Sequence, residues 1–236
     1  MKKTILINLF LSITLITIYG QDSVLNKSTP YVIKNINAYR NSVKAHPEKK
    51  MVDLKKIINN LYFDIRYATR NNFMHTKLYP PINTTYLRLP AAEALKNIQK
   101  ELKDKGLALK IYDAYRPYYV TVKMWQPIKD ERYVANPAKG SGHNRGIAVD
   151  LTIIKIADGK ELNMGTGYDN FTDTAHHTFK NLSPEILQNR TLLKSMMEKH
   201  GFKAFESEWW HYSLPNAKDY ELLDLSFKKL KKLNDP

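Results

Sequence analysis

His143, Asp150 and His211 offer two imidazole nitrogens and a carboxylate oxygen, and Glu208 offers a second carboxylate three residues before His211. Zinc is held at about 2.0–2.2 Å by such donors, and a hydrolytic zinc centre uses three of them, with a fourth position left for water. The ion can lower the pKa of that water to about 7. The residues therefore read as one zinc ion on His143, Asp150 and His211. Glu208 reads as the general base that takes a proton from the water and passes it to a leaving amine. Arg116 is the natural electrophile, because a planar guanidinium can stabilise the oxyanion that develops on a carbonyl under attack. Asp113 would orient Arg116 or support a metal ligand from behind.

Spacing makes this chemistry possible and also sets it a problem. Gly146 permits a sharp loop between His143 and Asp150, and His211 would come from a neighbouring strand. In an ideal strand, residues three apart face opposite ways, so Glu208 and His211 can share a centre only if the backbone bends or bulges. Each piece alone has a bland reading. A single His–Asp pair has little specificity, and Glu208 alone would be a surface carboxylate. Trp209-Trp210 reads as core packing. His176-His177 reads as a solvated pair, since adjacent side chains diverge. His46, His75 and His200 have no partners in sequence, and His200 suits a helix C-terminus.

The elements that must position these residues are legible in outline. Asp64 to Thr69 is strand-like. Pro90 opens a helix in which Ala91, Ala94, Leu95, Ile98 and Leu102 recur at helical spacing, stopped by Gly106. Leu107 to Tyr112 alternates as a strand and ends in the loop Asp113-Ala114-Tyr115-Arg116-Pro117. A helix is expected from Tyr118 to Gln126, closed by Pro127. Gly140 to Gly146 has loop chemistry, and Ile147, Val149, Leu151 and Ile153 alternate around Asp150. A helix over Thr191 to His200 precedes a strand from Glu208 to Leu214, and the tail from Asp219 to Leu233 reads as a lysine-rich helix. These elements predict an α+β fold: a single domain over residues 51–236 with a central, mainly antiparallel sheet that carries the zinc site, flanked by helices. Residues 21–50, polar and interrupted by Pro30 and Pro47, read as a linker or irregular N-terminal arm.

The first 20 residues read as a secretory signal peptide: Lys2 and Lys3, an apolar run from Ile5 to Ile18, then Gly20. Export to the periplasm or the extracellular space is the expectation, with a retained N-terminal anchor as the alternative. No later segment is apolar enough to cross a bilayer. Cysteine is absent, which excludes disulfides and thiolate ligands and leaves His, Asp and Glu to hold any zinc. The formal charge of +14 stays near +12 once Lys2 and Lys3 are removed. Its lysines are dispersed, so nucleic-acid binding is not expected. A weak attraction to anionic envelope surfaces fits better.

At two places the residues match known motifs in full. Ser141 to Asp150 fits Ser-x-His-x-x-Gly-x-Ala-x-Asp, and Glu208 to His211 fits Glu-x-x-His. The chain resembles the zinc D,D-peptidases that share a fold with the hedgehog signalling domain (peptidase family M15). Within them it is most similar to the D-alanyl-D-alanine dipeptidases of the vancomycin-resistance type. Asp64 to Thr69 followed by Asn72-Phe73, Tyr112 to Pro117, His143 to Thr152, Met164-Gly165 with Asp169 beyond, and Glu208 to Tyr212 carry that similarity over roughly residues 55–214. The resemblance implies the same ligands, base and arginine. It further implies that Asp169 lies near the free amino group of a dipeptide and that Ser141 donates a hydrogen bond to substrate. Family members often carry Ser immediately before the first His, where this chain has Gly142.

The expected activity is zinc-dependent hydrolysis of D-alanyl-D-alanine to D-alanine. A carboxylate such as Asp169 would reject longer chains, whose amide leaves a buried charge unpaired. One alternative is a D,D- or L,D-carboxypeptidase that trims peptidoglycan stems, which an open cleft without charge at the amino end would favour. The other is a zinc-stabilised binding module without turnover, which has no use for Glu208 or Arg116.

Overall fold

The computed structural model describes residues 30–235, so the apolar segment over residues 1–20 lies outside the described residues. The chain begins with β1 (Val32–Ile33), α1 (Ile36–Ala45), β2 (Met51–Asp53), α2 (Leu54–Ile57) and β3 (Tyr62–Phe63). It continues with β4 (Tyr86–Arg88), α3 (Leu89–Lys103), β5 (Leu107–Asp113), α4 (Tyr118–Ile128), α5 (Gly142–Arg145) and β6 (Ala148–Lys155). It closes with α6 (Pro184–Lys199), β7 (Lys203–Phe205), β8 (Glu208–Ser213), β9 (Leu222–Leu223) and α7 (Phe227–Asn234).

The central sheet has the order β3-β5-β6-β8-β7, and only the β3–β5 pair is parallel. This is the α+β architecture with a mainly antiparallel sheet that the sequence predicts. In register, Leu109 faces Ile153 and Ile111 faces Leu151. These side chains join the core with Leu95, Ile98 and Leu102 of α3. Helix α3 packs on β5, α6 packs on β7 and β8, and the two helices touch. The chemistry lies where this alternation breaks: Asp150 has the other parity on β6, and a register shift between Ile111 and Asp113 on β5 sets Asp113 opposite it. Asp113 on β5 pairs with Asp150 on β6, and Asp150 pairs with His211 on β8. Cross-strand partners lie on one face, so three adjacent strands deliver a row of polar side chains.

Several expectations need correction. The linker assigned to residues 21–50 is, from Pro30 onward, part of the fold. Strand β1 pairs in parallel with β9, and Tyr39 of α1 is buried with its hydroxyl accepting from Met51 N at 2.7 Å. Lys49 binds Glu221 at 2.9 Å. A polar composition hid a helix whose one buried aromatic face suffices. The strand read at Asp64 to Thr69 lies earlier, at β3, and Arg66–Ala68 forms a 3₁₀ turn that turns Tyr67 into the core. Pro127 does not close α4. It sits within the last turn, where the missing N–H costs one bond, and the helix stops at Lys129 with φ 50°. Helix α6 starts earlier than expected, with Ser183 as N-cap and Pro184 in the first turn. The tail is helical only from Phe227, because Leu222 and Leu223 are buried as β9 and Ser226 is the N-cap of α7.

Candidate active site

His143 is presented by a single helical turn. Ser141 caps α5, its Oγ accepting from His143 N at 3.2 Å, while Ser141 N donates to Asn144 Oδ1 at 3.0 Å. Gly146 ends the turn at φ 72°, and a Cβ there would meet Met51 Sδ at 2.6 Å. Glycine suits both the left-handed backbone and that close approach. The turn is clasped to the loop after β5: Arg116 N donates to His143 O at 3.2 Å, and Asn144 Nδ2 donates to Arg116 O at 2.9 Å and to Thr121 Oγ1 at 2.8 Å.

The strand row then completes the cluster. His143 Nε2 lies 3.2 Å from His211 Nδ1 and 3.4 Å from Asp150 Oδ1, and His211 Nδ1 lies 2.9 Å from Asp150 Oδ1. His143 Nδ1 faces Ala114 O at 2.7 Å. The carbonyl can only accept, so Nδ1 carries a proton and Nε2 is the nitrogen left to face the carboxylate and a metal ion. Donors at about 2.0–2.2 Å from one tetrahedral ion stand about 3.3–3.6 Å apart; the separations of 3.2 and 3.4 Å are close to this, and the third, 2.9 Å, is shorter. The three residues could hold a metal ion.

The backbone problem at Glu208 is resolved by the hairpin joining β7 to β8. Phe205 pairs with Glu208, but Ala204 pairs with Tyr212, so Trp209, Trp210 and His211 fall between two consecutive pairs. This irregularity brings Glu208 and His211 to the same cleft, with Glu208 Oε2 3.8 Å from His211 Nδ1. Burial, and then the negative charges of Asp150 and Asp169, push the Glu208 carboxyl well above its ordinary pKa. A raised carboxyl pKa suits a group that must accept and return a proton near neutrality. Burial opposes ionisation of Asp150 too, yet His143 and His211 hold its carboxyl below the usual range.

Arg116 is buried and donates from Nε and Nη2 to Asp113 Oδ2 at 3.0 and 2.8 Å. Burial would lower its pKa, but Asp113 raises it well above the guanidinium value. Asp113 Oδ1 accepts from Tyr79 at 2.8 Å. The two bonds to Asp113 fix the direction in which the Arg116 guanidinium points.

Asp169 lines the same cleft from a left-handed backbone, φ 58°. Its Oδ1 accepts from Tyr67 at 3.1 Å, while Oδ2 is buried without a partner among the described residues. Burial and the charge of Asp150 raise its carboxyl to about 7. The loop bearing it is held by Arg190 of α6, which donates to Met164 O, Thr174 O and His176 O at 2.7, 2.8 and 3.1 Å. Ser141 also lines the cleft with its hydroxyl already accepting as a cap. A Cβ at Gly142 would meet Ala148 Cβ at 2.9 Å and Ser213 Cβ at 3.5 Å, so glycine lets α5 sit close against the sheet. The cleft encloses about 270 Å³, below the roughly 300–1,000 Å³ of drug-sized sites.

Sequence reasoning missed Tyr67, Tyr79, Tyr168, Asn144 and Arg190. Tyrosine accounts for 15 residues, and buried tyrosine hydroxyls need partners, which was the available signal. The pair His176-His177 is not solvated as read. His177 Nε2 is buried and unpartnered among the described residues, and its ring meets Tyr212 edge-on at 6.0 Å. Burial lowers its pKa to about 4. Trp209 and Trp210 are buried, and Trp209 Nε1 donates to Thr166 Oγ1 at 2.8 Å. His200 ends α6 and meets Glu101 at 2.8 Å.

Comparison with known proteins gives a consistent set of similarities. A family model described as D-ala-D-ala dipeptidase, peptidase M15, matches residues 47–231. A D-alanyl-D-alanine dipeptidase of Escherichia coli (strain K12) is 36% identical over 174 residues, spanning 74% of this chain and 89% of that protein. One of Enterococcus faecium is 30% identical over 184 residues, spanning 68% and 89%. A solved structure of the LdcB LD-carboxypeptidase aligns with TM-score 0.39 and 21% identity over 79% of this chain and 78% of that one.

Proposed function

The chain belongs to the M15 peptidases, the D-ala-D-ala dipeptidase family, and we propose that it hydrolyses D-alanyl-D-alanine to D-alanine with one zinc ion on His143, Asp150 and His211. One observation carries the reading: Asp169, a buried carboxylate with an unpartnered oxygen, faces the cleft that holds the three-donor cluster. A free dipeptide has an ammonium to put there, and a longer peptide has an amide.

When bound, zinc supplies Lewis acidity that makes water nucleophilic near neutral pH. Nitrogen and oxygen donors without cysteine suit that ion. Glu208 takes the proton of the attacking water and returns it to the leaving amino group. Arg116, held by Asp113, stabilises negative charge as it develops on the scissile carbonyl oxygen. Asp169 receives the substrate ammonium, and the hydroxyl proton of Ser141 remains available to substrate. Export, supported by Lys2, Lys3 and the apolar run from Ile5 to Ile18, belongs to the same reading.

The test is D-alanine release from D-alanyl-D-alanine and from its N-acylated analogue, with zinc, with chelator, and with Glu208→Ala. The expected result is zinc-dependent release from the free dipeptide alone, lowered by about 10²–10⁴-fold in the variant. Equal or faster release from the blocked analogue would move the assignment to a carboxypeptidase.

A further inference from the structure

The two oxygens of Asp150 have different neighbours. Oδ1 faces His143 and His211, while Oδ2 accepts a hydrogen bond from the Tyr168 hydroxyl at 2.9 Å. The next donor to Oδ2 is Arg116 Nη2, 3.9 Å away and already engaged with Asp113 at 2.8 Å. Asp113 and Asp150 are cross-strand neighbours and both are buried. One guanidinium therefore stands within reach of two carboxylates, and something must decide which of them keeps it.

We propose that Tyr168 decides it: the hydroxyl occupies Asp150 Oδ2, fixes Oδ1 toward the histidines, and keeps Arg116 on Asp113. Tyr168 is thus a positioning residue of the metal centre. The inference rests on the reading of His143, Asp150 and His211 as metal ligands.

Proton counting supports the assignment. The Tyr168 oxygen also lies 3.1 Å from the Tyr67 hydroxyl, which in turn reaches Asp169 Oδ1 at 3.1 Å. Each phenol has one proton to give. Asp150 is the stronger acceptor for that of Tyr168, because an ionised oxygen takes a shorter and stronger bond than a neutral one. The observed 2.9 Å against 3.1 Å follows that order. Tyr67 is then free to serve Asp169 without disturbing Asp150. Without the Tyr168 hydroxyl, Oδ2 would be a buried acceptor with no donor, and Arg116 would be drawn from Asp113 toward it. The ring itself is held independently, 4.8 Å from Tyr112, 5.5 Å from Trp210 and 6.0 Å from Tyr67 between centroids. Removal of the oxygen alone should leave the packing intact.

The experiment compares the wild-type chain, Tyr168→Phe and Tyr67→Phe. Zinc affinity is measured by competition with a chromogenic chelator, and the visible d–d absorption of the cobalt(II)-loaded protein reports ligand geometry. Near-UV circular dichroism checks that each variant is folded. The expected result is a roughly 10–100-fold loss of zinc affinity in Tyr168→Phe, with a shifted cobalt band. Tyr67→Phe should keep both wild-type values. Wild-type affinity and an unshifted band in folded Tyr168→Phe would overturn the inference, as would an equal loss in Tyr67→Phe. A wild-type chain that binds neither ion would instead overturn the ligand assignment on which the inference rests.

Discussion

Asp169 adds a further carboxylate to the wall of the cleft. It is buried, close to Asp150, and among the described residues its Oδ2 has no hydrogen-bond partner. Replacement by Asn should lower kcat/KM for the free dipeptide by at least about 30-fold, because losing one partner of a buried charge pair costs about 2 kcal/mol or more. The loss should fall mainly in KM. The same group should leave a mark on stability. In the ligand-free fold its carboxyl is raised from 3.8 to about 7, so the folded chain keeps a proton that the unfolded chain has released. That contribution is complete below pH 4 and is lost as pH rises through 7. Urea midpoints across this window should fall less steeply in Asp169→Asn. The residues that cluster at the cleft were readable as types at fixed spacing: His143, Asp150, Glu208, His211, Arg116 and Asp113. Asp169 emerged only through family resemblance, because nothing adjacent in sequence marks a lone aspartate as buried. Tyr168 and Tyr79 stayed hidden, since a phenol's role depends on which oxygen it happens to face.

At the scale of elements, the site is a product of strand register. Three strands place Asp113, Asp150 and His211 side by side, and the irregular β7–β8 hairpin turns Glu208 inward. Alternation within β5 and β6 was visible in the sequence, but pairing between strands was not, because register depends on partners far along the chain. The need for a bulge at Glu208 could be stated in advance from parity alone. The N-terminal arm shows the opposite failure. Its composition suggested a linker, yet β1 and α1 hold β9 and the start of β2 through Tyr39 and, next to them, Lys49 holds Glu221. Deleting residues 1–50 should therefore lower the melting temperature by roughly 10 °C or more, where a true linker would leave it unchanged. Calorimetry of the two chains separates these outcomes.

Taken as a whole, the molecule is basic, with a formal charge of +14, and yet around one small cleft it gathers Asp113, Asp150, Asp169 and Glu208. Arg116 answers one of these charges. No helix among the described residues is long and apolar enough to cross a membrane, and their buried apolar side chains gather in one core. That core includes a sheet in which two aspartates face each other across β5 and β6. Like charges directly opposite weaken a sheet, and an ion that binds only the folded chain offsets this by mass action. The half-life of the protein under protease attack should lengthen with added zinc and shorten with chelator. The amount of this peptidase that survives would then track the metal supply of its surroundings, which makes the facing aspartates a timer on the lifetime of the molecule.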